Sequence, residues 1–566
     1  MSEPNKLDLV ILWHMHQPDF RDHASGEFVQ PWVYLHAIKD YSDMAAHLEA
    51  HPGMRAVVNF TPVLLDQLED YTDQFASGKF RDPLLRLLAQ SDLQQIDQAA
   101  RELILSSCFK ANHKKLIEPY PAYQRLFDFF RLAQDHGRAA AAYLSAQYLG
   151  DLLTWYHISW TGETVRRQDE LVPGLIAKEQ GFSPEERIRL LNIIGQVIRD
   201  IIPRYRKLSE AGRIELTTTP EYHPIGPLLL SFKAARETVP DAPLPQNPDY
   251  PGGRSRMIAQ VEAAKRSHAR RFGHPPRGLW PAEGAVSREF ADLLAQAGCE
   301  WMASGEGVLA HSLLRSGRAE LANRADYLFR PYRVGHGQTE ITCFFRDDRL
   351  SDLIGFEYAK WNGNDAAAHF VSALENIAAK TDGTARPVVS VILDGENAWE
   401  YYPYNGYYFL DELYAMLERH AHITTTTFSQ LLDDKREATA LPELMAGSWV
   451  YGNLATWIGS PDKNRAWDLL CTAKRSFDSV VASGRLNDRE IERATRQLAD
   501  CEGSDWCWWF GDYNPAESVR AFDELYRRKL TYLYVLLQLP APDELGIPIS
   551  HGKEDSEATN AMRRAS

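Results

Sequence analysis

Val388-Val389-Ser390-Val391-Ile392-Leu393-Asp394-Gly395-Glu396-Asn397-Ala398-Trp399-Glu400 decides how the rest of the chain is read. Its first half is apolar and β-branched without alternation, the pattern of a strand buried on both faces, as in a parallel sheet covered by helices. The run stops at Asp394, and Gly395 lets the backbone turn. A carboxylate at the C-terminal end of a buried parallel strand sits where barrel enzymes keep their chemistry. The alternative is that Asp394 only caps the next helix. The aromatic and polar residues after it (Trp399, Tyr401, Tyr402, Tyr404) read as the wall of a wet cleft.

The totals set bounds. At 566 residues the chain exceeds one ordinary core, although a barrel with insertions absorbs much of that length. A net charge of −15 argues against nucleic acid and anionic membrane, both of which call for basic patches. Aromatics are abundant, with 14 Trp, 25 Tyr and 23 Phe, which suits either a large core or stacking on sugar rings. The first residues lack a basic segment followed by an apolar stretch of roughly 7–15 residues, and no apolar run approaches the roughly 20 of a membrane span. The six cysteines are scattered with no CxxC pair. Reduced thiols, no Cys-based metal site and a cytoplasmic location are the expectation.

Outward from Asp394, other strand ends carry polar groups. Leu7–His16 reads as a strand on which His14 and His16 face the same side. Three roles stand open for them: ligating a metal, hydrogen-bonding a polyhydroxylated ligand, or packing. Met54–Asn59 is a second strand. From about Asp82 to Glu210 the pattern is helical, an inserted subdomain expected to wall the cleft. Gly137–Leu153 stays open as one further barrel element. Gly212–Pro220 is a strand containing Glu215, a costly burial unless paired. Glu215 either bonds inside the structure or holds a sugar hydroxyl, and His223 follows shortly after. Gly278–Trp280 is a short strand with Glu283 in the turn after it, a second carboxylate at a strand end or else a helix-start charge. Ile341–Asp347 ends in Arg346 and Asp347. Arg346 near a carboxylate holds it ionised, or makes a surface ion pair. Past about Lys435 helices return, after a loop, Ser448–Gly459, rich in Trp, Gly, Asn and Thr. The Trp506–Asp512 run is a second aromatic cluster, core or platform. Domain boundaries are expected at 1–435 for the barrel, 436–549 for the helices and 550–566 for a disordered tail.

Strands separated by helices, with charges at strand ends, predict a parallel barrel. Two carboxylates facing one aromatic cleft match glycoside hydrolysis, in which one acid protonates the leaving oxygen and the other attacks or activates water.

In order along the chain, five stretches resemble the motif regions of glycoside hydrolase family 57: His14-Met15-His16-Gln17-Pro18; Gly212–Glu215 with Tyr222-His223-Pro224; Leu279-Trp280-Pro281-Ala282-Glu283; Leu393–Glu400; and Ser448-Trp449 through Thr456-Trp457-Ile458-Gly459. The resemblance implies an α/β fold, an incomplete (β/α)7 barrel with helical insertions and a C-terminal all-helical domain. It implies Glu283 as nucleophile, Asp394 as acid/base, retention of configuration, an α-glucan substrate and no cofactor or metal. The candidate substrate contacts are His14, His16, Glu215, His223, Trp280, Arg346, Asp347, Trp399, Trp449, Asn453, Thr456 and Trp457. The wording around Asp394 and Thr456–Gly459 looks most like the amylopullulanase branch, which cleaves α-1,4 and α-1,6 links. Rival readings are a 4-α-glucanotransferase, a zinc-dependent polysaccharide deacetylase or α-mannosidase using His14 and His16, and a glucan binder without turnover.

Overall fold

The computed structural model describes residues 6–135, 143–317, 323–381 and 386–553. Among them, ten strands form one sheet: β1 (Leu7–Met15), β2 (Ala56–Phe60), β3 (Ile214–Thr218), β4 (Gly278–Leu279), β5 (Trp301–Ser304), β6 (Tyr332–Val334), β7 (Ile341–Phe345), β8 (Val388–Asp394), β9 (Ile423–Thr426) and β10 (Thr439–Ala440). The order is β10-β6-β7-β5-β4-β3-β2-β1-β8, with β9 paired to β1. Every pairing is parallel except β6 with β7.

β1 is the axis of this arrangement. No residue of it is more than 3% exposed, its apolar run Leu9–Trp13 and the polar Asp8 and His14 alike. Each large aliphatic chain so buried contributes roughly 1.5–3 kcal/mol. β8 pairs along most of its length, from Asp8 to His14. β2 takes Leu12–Met15 and β9 takes Leu7–Val10.

The two ends of the parallel path meet. β7 runs on to Arg346, which bridges Ser390 of β8 in parallel. Asp347 N donates to Ser390 O at 2.7 Å, and Arg346 Nε donates to Ile392 O at 2.8 Å. Seven parallel strands, β1 to β5 with β7 and β8, therefore curl into a barrel whose last seam is one bridge and one guanidinium. That is the incomplete barrel expected from the sequence.

The stretch from Pro83–Ala89 to Pro184–Glu210 holds only helices among the described residues. The longest of them opens with a capping box, Ser183 with Glu186. Its C-terminal half returns to the sheet, where Tyr205 packs edge-on against Phe60 of β2 at 4.9 Å. It is therefore the crossover into β3 as well as the end of an insertion. Gly137–Leu153 supplies no strand among its described residues, since Ala146–Trp160 is a helix; residues 136–142 lie outside the described residues. β10 pairs with β6 at Thr439 and Ala440, so the sheet runs past the boundary expected at 435. The C-terminal helices are Pro461–Ala482, Asp488–Cys501, Asp505–Trp509 and Ala516–Leu536. They are joined to the barrel through buried charge: Glu502 receives Arg256 Nε at 2.6 Å and Nη2 at 3.0 Å. Of the expected tail, Ser550 is buried and accepts from Gly511 N at 2.9 Å, and Lys553 N donates to Asn514 O. Residues 554–566 lie outside the described residues.

The seam makes a stability prediction. Arg346 is buried and also pairs with Asp348 at 2.7 Å and Asp352 at 2.9 Å. Arg346→Ala leaves two carboxylates and a carbonyl without their donor. A loss of about 3 kcal/mol in urea unfolding is expected. A loss near zero would show that the seam closes without it.

Candidate active site

The strand ends converge on one side of the barrel. In the sheet register His14 stands beside Asp394 of β8 and Asn59 of β2. A cavity of about 770 Å³ opens there, lined among others by His14, His16, Glu283, Arg346, Asp394 and Trp449. Both carboxylates selected from the sequence thus face the same space.

Glu283 reaches it through an unusual backbone. Its φ of 58° and ψ of 22° are left-handed, and Gly284 follows at φ 58°. A non-glycine residue in that region costs about 1–3 kcal/mol and persists only when its surroundings fix it. The surroundings do so here. Trp449 N donates to Glu283 O at 3.0 Å, and the Trp449 indole Nε1–H donates to Glu283 Oε2 at 2.8 Å. Ser304 Oγ closes the turn by donating to Gly284 O at 2.6 Å. The carboxylate is aimed by one side chain that also forms part of the cleft wall.

Asp394 has a different environment. It keeps some solvent contact through the cleft but lies deep among protein atoms. Burial raises its pKa above the ordinary carboxylate value. The donor from Asn397 Nδ2 at 2.9 Å and the charges of His16 and Arg346 work the other way without reversing the direction. Glu396, two residues on, is pushed up further by burial and by the Asp394 charge. It accepts on Oε1 from His16 N, Gln17 Nε2 and the Tyr41 hydroxyl, while Oε2 is buried without a partner. Asp394, its pKa raised by burial, and Glu283, bonded by an indole N–H, thus face one cleft from unlike environments, the kind of division that an acid and a nucleophile require.

The histidines form a stack rather than a set of open ligands. His14 Nδ1 lies 2.7 Å from Asn59 Oδ1, and His14 Nε2 lies 3.1 Å from His223 Nε2. His223 Nδ1 meets Ser504 Oγ at 2.8 Å. Burial lowers the pKa of His14 to about 3 and that of His223 well below its usual value, so both rings are neutral. Tautomers assigned from the network run one way: Ser504 donates to His223, His223 to His14, and His14 to Asn59. His16 spends Nδ1 on Thr61 Oγ1 at 3.1 Å and Nε2 on Asp505 Oδ1 at 2.8 Å. Its ring lies 3.8 Å above His223, tilted by 15°. Of the three open roles the structure favours packing, with ring faces and edges in the wall.

The same bonds bear on metal binding. Among the described residues, His16, His223 and Asp505 offer ligand atoms within 4.8 Å of one another. Rings stacked face to face direct their lone pairs along parallel planes, not toward one ion, and each nitrogen is already paired. A zinc mechanism through His14 and His16 does not fit this geometry. Asp19, His23 and Asp500 also approach one another, but Arg21 and Lys529 already neutralise the two carboxylates.

Several expected contacts do not reach the cleft. Glu215 sits low in β3, accepting from Trp301 Nε1 at 2.8 Å and Ser429 N at 3.0 Å, and bonding the Ser429 hydroxyl. It is the internally paired alternative. Trp399 is buried, donates to Gly395 O at 2.8 Å and packs on Trp13, because the chain turns inward after Gly395. Trp280 is fully buried between His14 and Trp449 and supports both. His223 lies beneath the other two histidines. Asp347 is buried, pairs with Arg324 and caps a short helix through Leu350 N. Asn453 shapes its own loop, accepting from Ala455 N. Thr456 and Trp457 are buried, with their carbonyls held by Lys463 and Trp467. His14, His16, Arg346 and Trp449 do line the space.

Further residues line the space, most of them not singled out from the sequence; Trp508 and Trp509 belong to the run left open as core or platform. Asp505, Trp508 and Trp509 come from the C-terminal helices; Trp32 and His36 follow β1; Trp160 and Phe109–Lys114 come from the helical insertion. The second aromatic run divides in two: Trp506 is core, donating to Asp500 O, while Trp508 and Trp509 face the cleft.

A parallel barrel carrying an acid and a fixed carboxylate over one aromatic cleft defines the glycosidase class. The chain belongs to glycosyl hydrolase family 57, which it matches over residues 10–444. Its fold is shared with a branching enzyme of this family from Pyrococcus horikoshii, at 16% identity and TM-score 0.58, covering 99% of both chains. A branching enzyme from Thermococcus kodakaraensis, crystallised with glucose, matches at 18% identity and TM-score 0.58, over 94% of this chain and 90% of that one. An α-amylase from Thermotoga maritima matches at 14% and TM-score 0.55, over 94% and 93%.

The Asp394 environment predicts a pH effect. With Asp394 in the acid role that the family resemblance implies, activity is expected to fall as pH rises through its raised pKa. Asn397→Ala removes a donor to the carboxylate and raises that pKa further. The alkaline limb of kcat/KM is expected to move to higher pH. A move to lower pH would mean that Asn397 does not hold the ionised form.

Proposed function

We propose that this chain is a retaining glycoside hydrolase of α-glucans, with Glu283 as nucleophile and Asp394 as acid/base. The observation that carries the reading is the pair of unlike carboxyl environments on one cleft: Glu283 Oε2 held by the Trp449 indole, and Asp394 with its pKa raised by burial. In the first step Asp394 gives its proton to the glycosidic oxygen as that bond to the anomeric carbon breaks. A Glu283 oxygen bonds to the same carbon, leaving a glycosyl ester. In the second step Asp394, now ionised, takes a proton from water. The water oxygen displaces Glu283 and the configuration is restored. Trp449 holds the Glu283 side chain in place through both displacements, which is where positioning lowers the barrier.

Family membership and the glucose present in the Thermococcus kodakaraensis crystal support α-linked glucose polymers as substrates, such as glycogen, maltodextrin or pullulan. Cleavage of α-1,4 bonds, and of α-1,6 bonds in the manner of an amylopullulanase, is the specific activity proposed. A second reading is 4-α-glucanotransfer, favoured by the aromatic flank of the cleft. Trp509 stacks on Phe522 at 4.6 Å and Trp508 stands beside it, a surface on which an acceptor sugar would displace water.

The test is release of reducing sugar from maltodextrin and pullulan by wild type and Glu283→Gln. Wild type is expected to act, and the variant to lose about 1000-fold or more while unfolding at the same temperature. Undiminished turnover by the variant would remove Glu283 from the mechanism. Oligomers longer than the starting maltotriose would show transfer.

A further inference from the structure

Just beyond the cleft, Tyr402-Pro403-Tyr404-Asn405-Gly406-Tyr407-Tyr408 makes a turn with three left-handed residues in a row. Tyr404 has φ 52°, Asn405 φ 54° and Gly406 φ 74°. Glycine suits that conformation and asparagine tolerates it, but tyrosine does not. Gly406 is required twice over, since a Cβ there would lie 2.6 Å from the Trp399 ring. The strain is fixed from below. Lys39 Nζ donates to Asn405 Oδ1 at 3.0 Å, and Asn405 Nδ2 donates to Asp43 Oδ2 at 2.9 Å. Lys39 and Asp43 are themselves buried.

What this rigid turn displays is aromatic. Tyr404 is 60% exposed and Tyr408 48% exposed, with their rings edge to face at 5.4 Å. Arg167 holds Tyr408 from the side: its guanidinium lies 4.2 Å from the centre of the Tyr407 ring and donates to the Tyr408 hydroxyl at 3.0 Å. Packing does not account for the arrangement, because two of the turn's four tyrosine rings, Tyr404 and Tyr408, face solvent. Strain retained to present exposed groups is the mark of a site rather than of a core.

The turn is continuous with the active site. Glu400 and Tyr401 line the cleft, and Tyr404 follows Tyr401 by three positions, within about 11 Å of chain. Trp399, which packs on Gly406, also holds the Gly395 carbonyl just after Asp394.

We infer that Tyr404 and Tyr408, the latter steadied by Arg167, form a second binding site for an α-glucan chain outside the cleft. The inference rests on the α-glucan reading above. The apolar faces of glucosyl rings stack on the tyrosines, and the exposed edge of Arg167 meets their hydroxyls. The occupant is a neighbouring stretch or branch of the same polymer whose bond is being cleaved. Rings already fixed lose little freedom on binding, so even a weak stack adds affinity. A short oligosaccharide that fits within the cleft does not touch the site.

The test compares polymer and oligomer. Glycogen binding is measured by affinity electrophoresis in the turnover-deficient Glu283→Gln background, and kcat/KM is measured in the active background on glycogen and on maltotriose. Tyr404→Ala/Tyr408→Ala is expected to weaken glycogen binding and lower kcat/KM on glycogen by about tenfold, with maltotriose unchanged. Tyr404→Phe/Tyr408→Phe keeps the rings and is expected to keep the binding. Unchanged glycogen binding by the alanine variant, an equal loss on maltotriose, or an equal loss in the phenylalanine variant would each overturn the second site. Failure of the parent to bind or cleave any α-glucan would instead overturn the substrate reading itself.

Discussion

The hydrogen bond from the Trp449 indole to Glu283 is the contact on which the site depends. It joins a turn after β4 to a loop more than 160 residues later, at 2.8 Å. Two further bonds, Trp449 N to Glu283 O and Ser304 Oγ to Gly284 O, fix the backbone of that turn, and the indole directs the carboxylate itself. The loop that delivers Trp449 is seated by glycines where the backbone comes too close for any side chain. A Cβ on Gly305 would lie 2.6 Å from Trp449 Cα, and one on Gly307 would lie 2.9 Å from Gly452 Cα. Glycines that make no contact through side chains of their own therefore help set the direction in which Glu283 points. Arg346 adds a second tie, its guanidinium 5.6 Å from the centre of the Trp449 ring while it closes the barrel seam. Barrel closure and the seating of Trp449 beside Glu283 share that side chain.

The C-terminal helices complete the cleft rather than follow it. Ser504 and Asp505 end the hydrogen-bond chains that run through His223 and His16. Trp508 and Trp509 supply one aromatic flank. The helical insertion supplies another through Trp160 and Phe109–Lys114, and Lys110 reaches Glu517 of the C-terminal helices at 2.7 Å. Strand ends and the turn after β4 place Asp394 and Glu283, and the helical segments decide what space surrounds them. Enzymes sharing this scaffold but differing in product would differ there first.

Some of this was legible in the sequence for plain reasons. β1 and β8 are buried on both faces, and a two-sided burial leaves an unbroken apolar run. Asp394 ends one such run, and Glu283 follows a short strand, so their positions near one rim could be read. Which tryptophans are core and which line the cleft was not legible, because an indole buries equally well in either place. Trp280 and Trp399 are therefore supports, although they sit in the same stretches as Glu283 and Asp394. Glu215 was readable as a buried carboxylate but not as one satisfied by Ser429 and Trp301, partners distant in sequence. Asp505 gave no local signal at all; its meaning comes only from His16, 489 positions away. Nor does sequence show that Tyr404 is left-handed, since tyrosine is a residue that avoids it.

The most direct measurement is covalent trapping. A fluorinated glucosyl donor that forms the ester quickly and loses it slowly is mixed with the protein, which is then digested and weighed peptide by peptide. The account predicts one added glycosyl group, on the peptide that holds Glu283. A glycosyl group on Asp394 or Glu396, or turnover of the donor with no ester on any carboxylate, would contradict it.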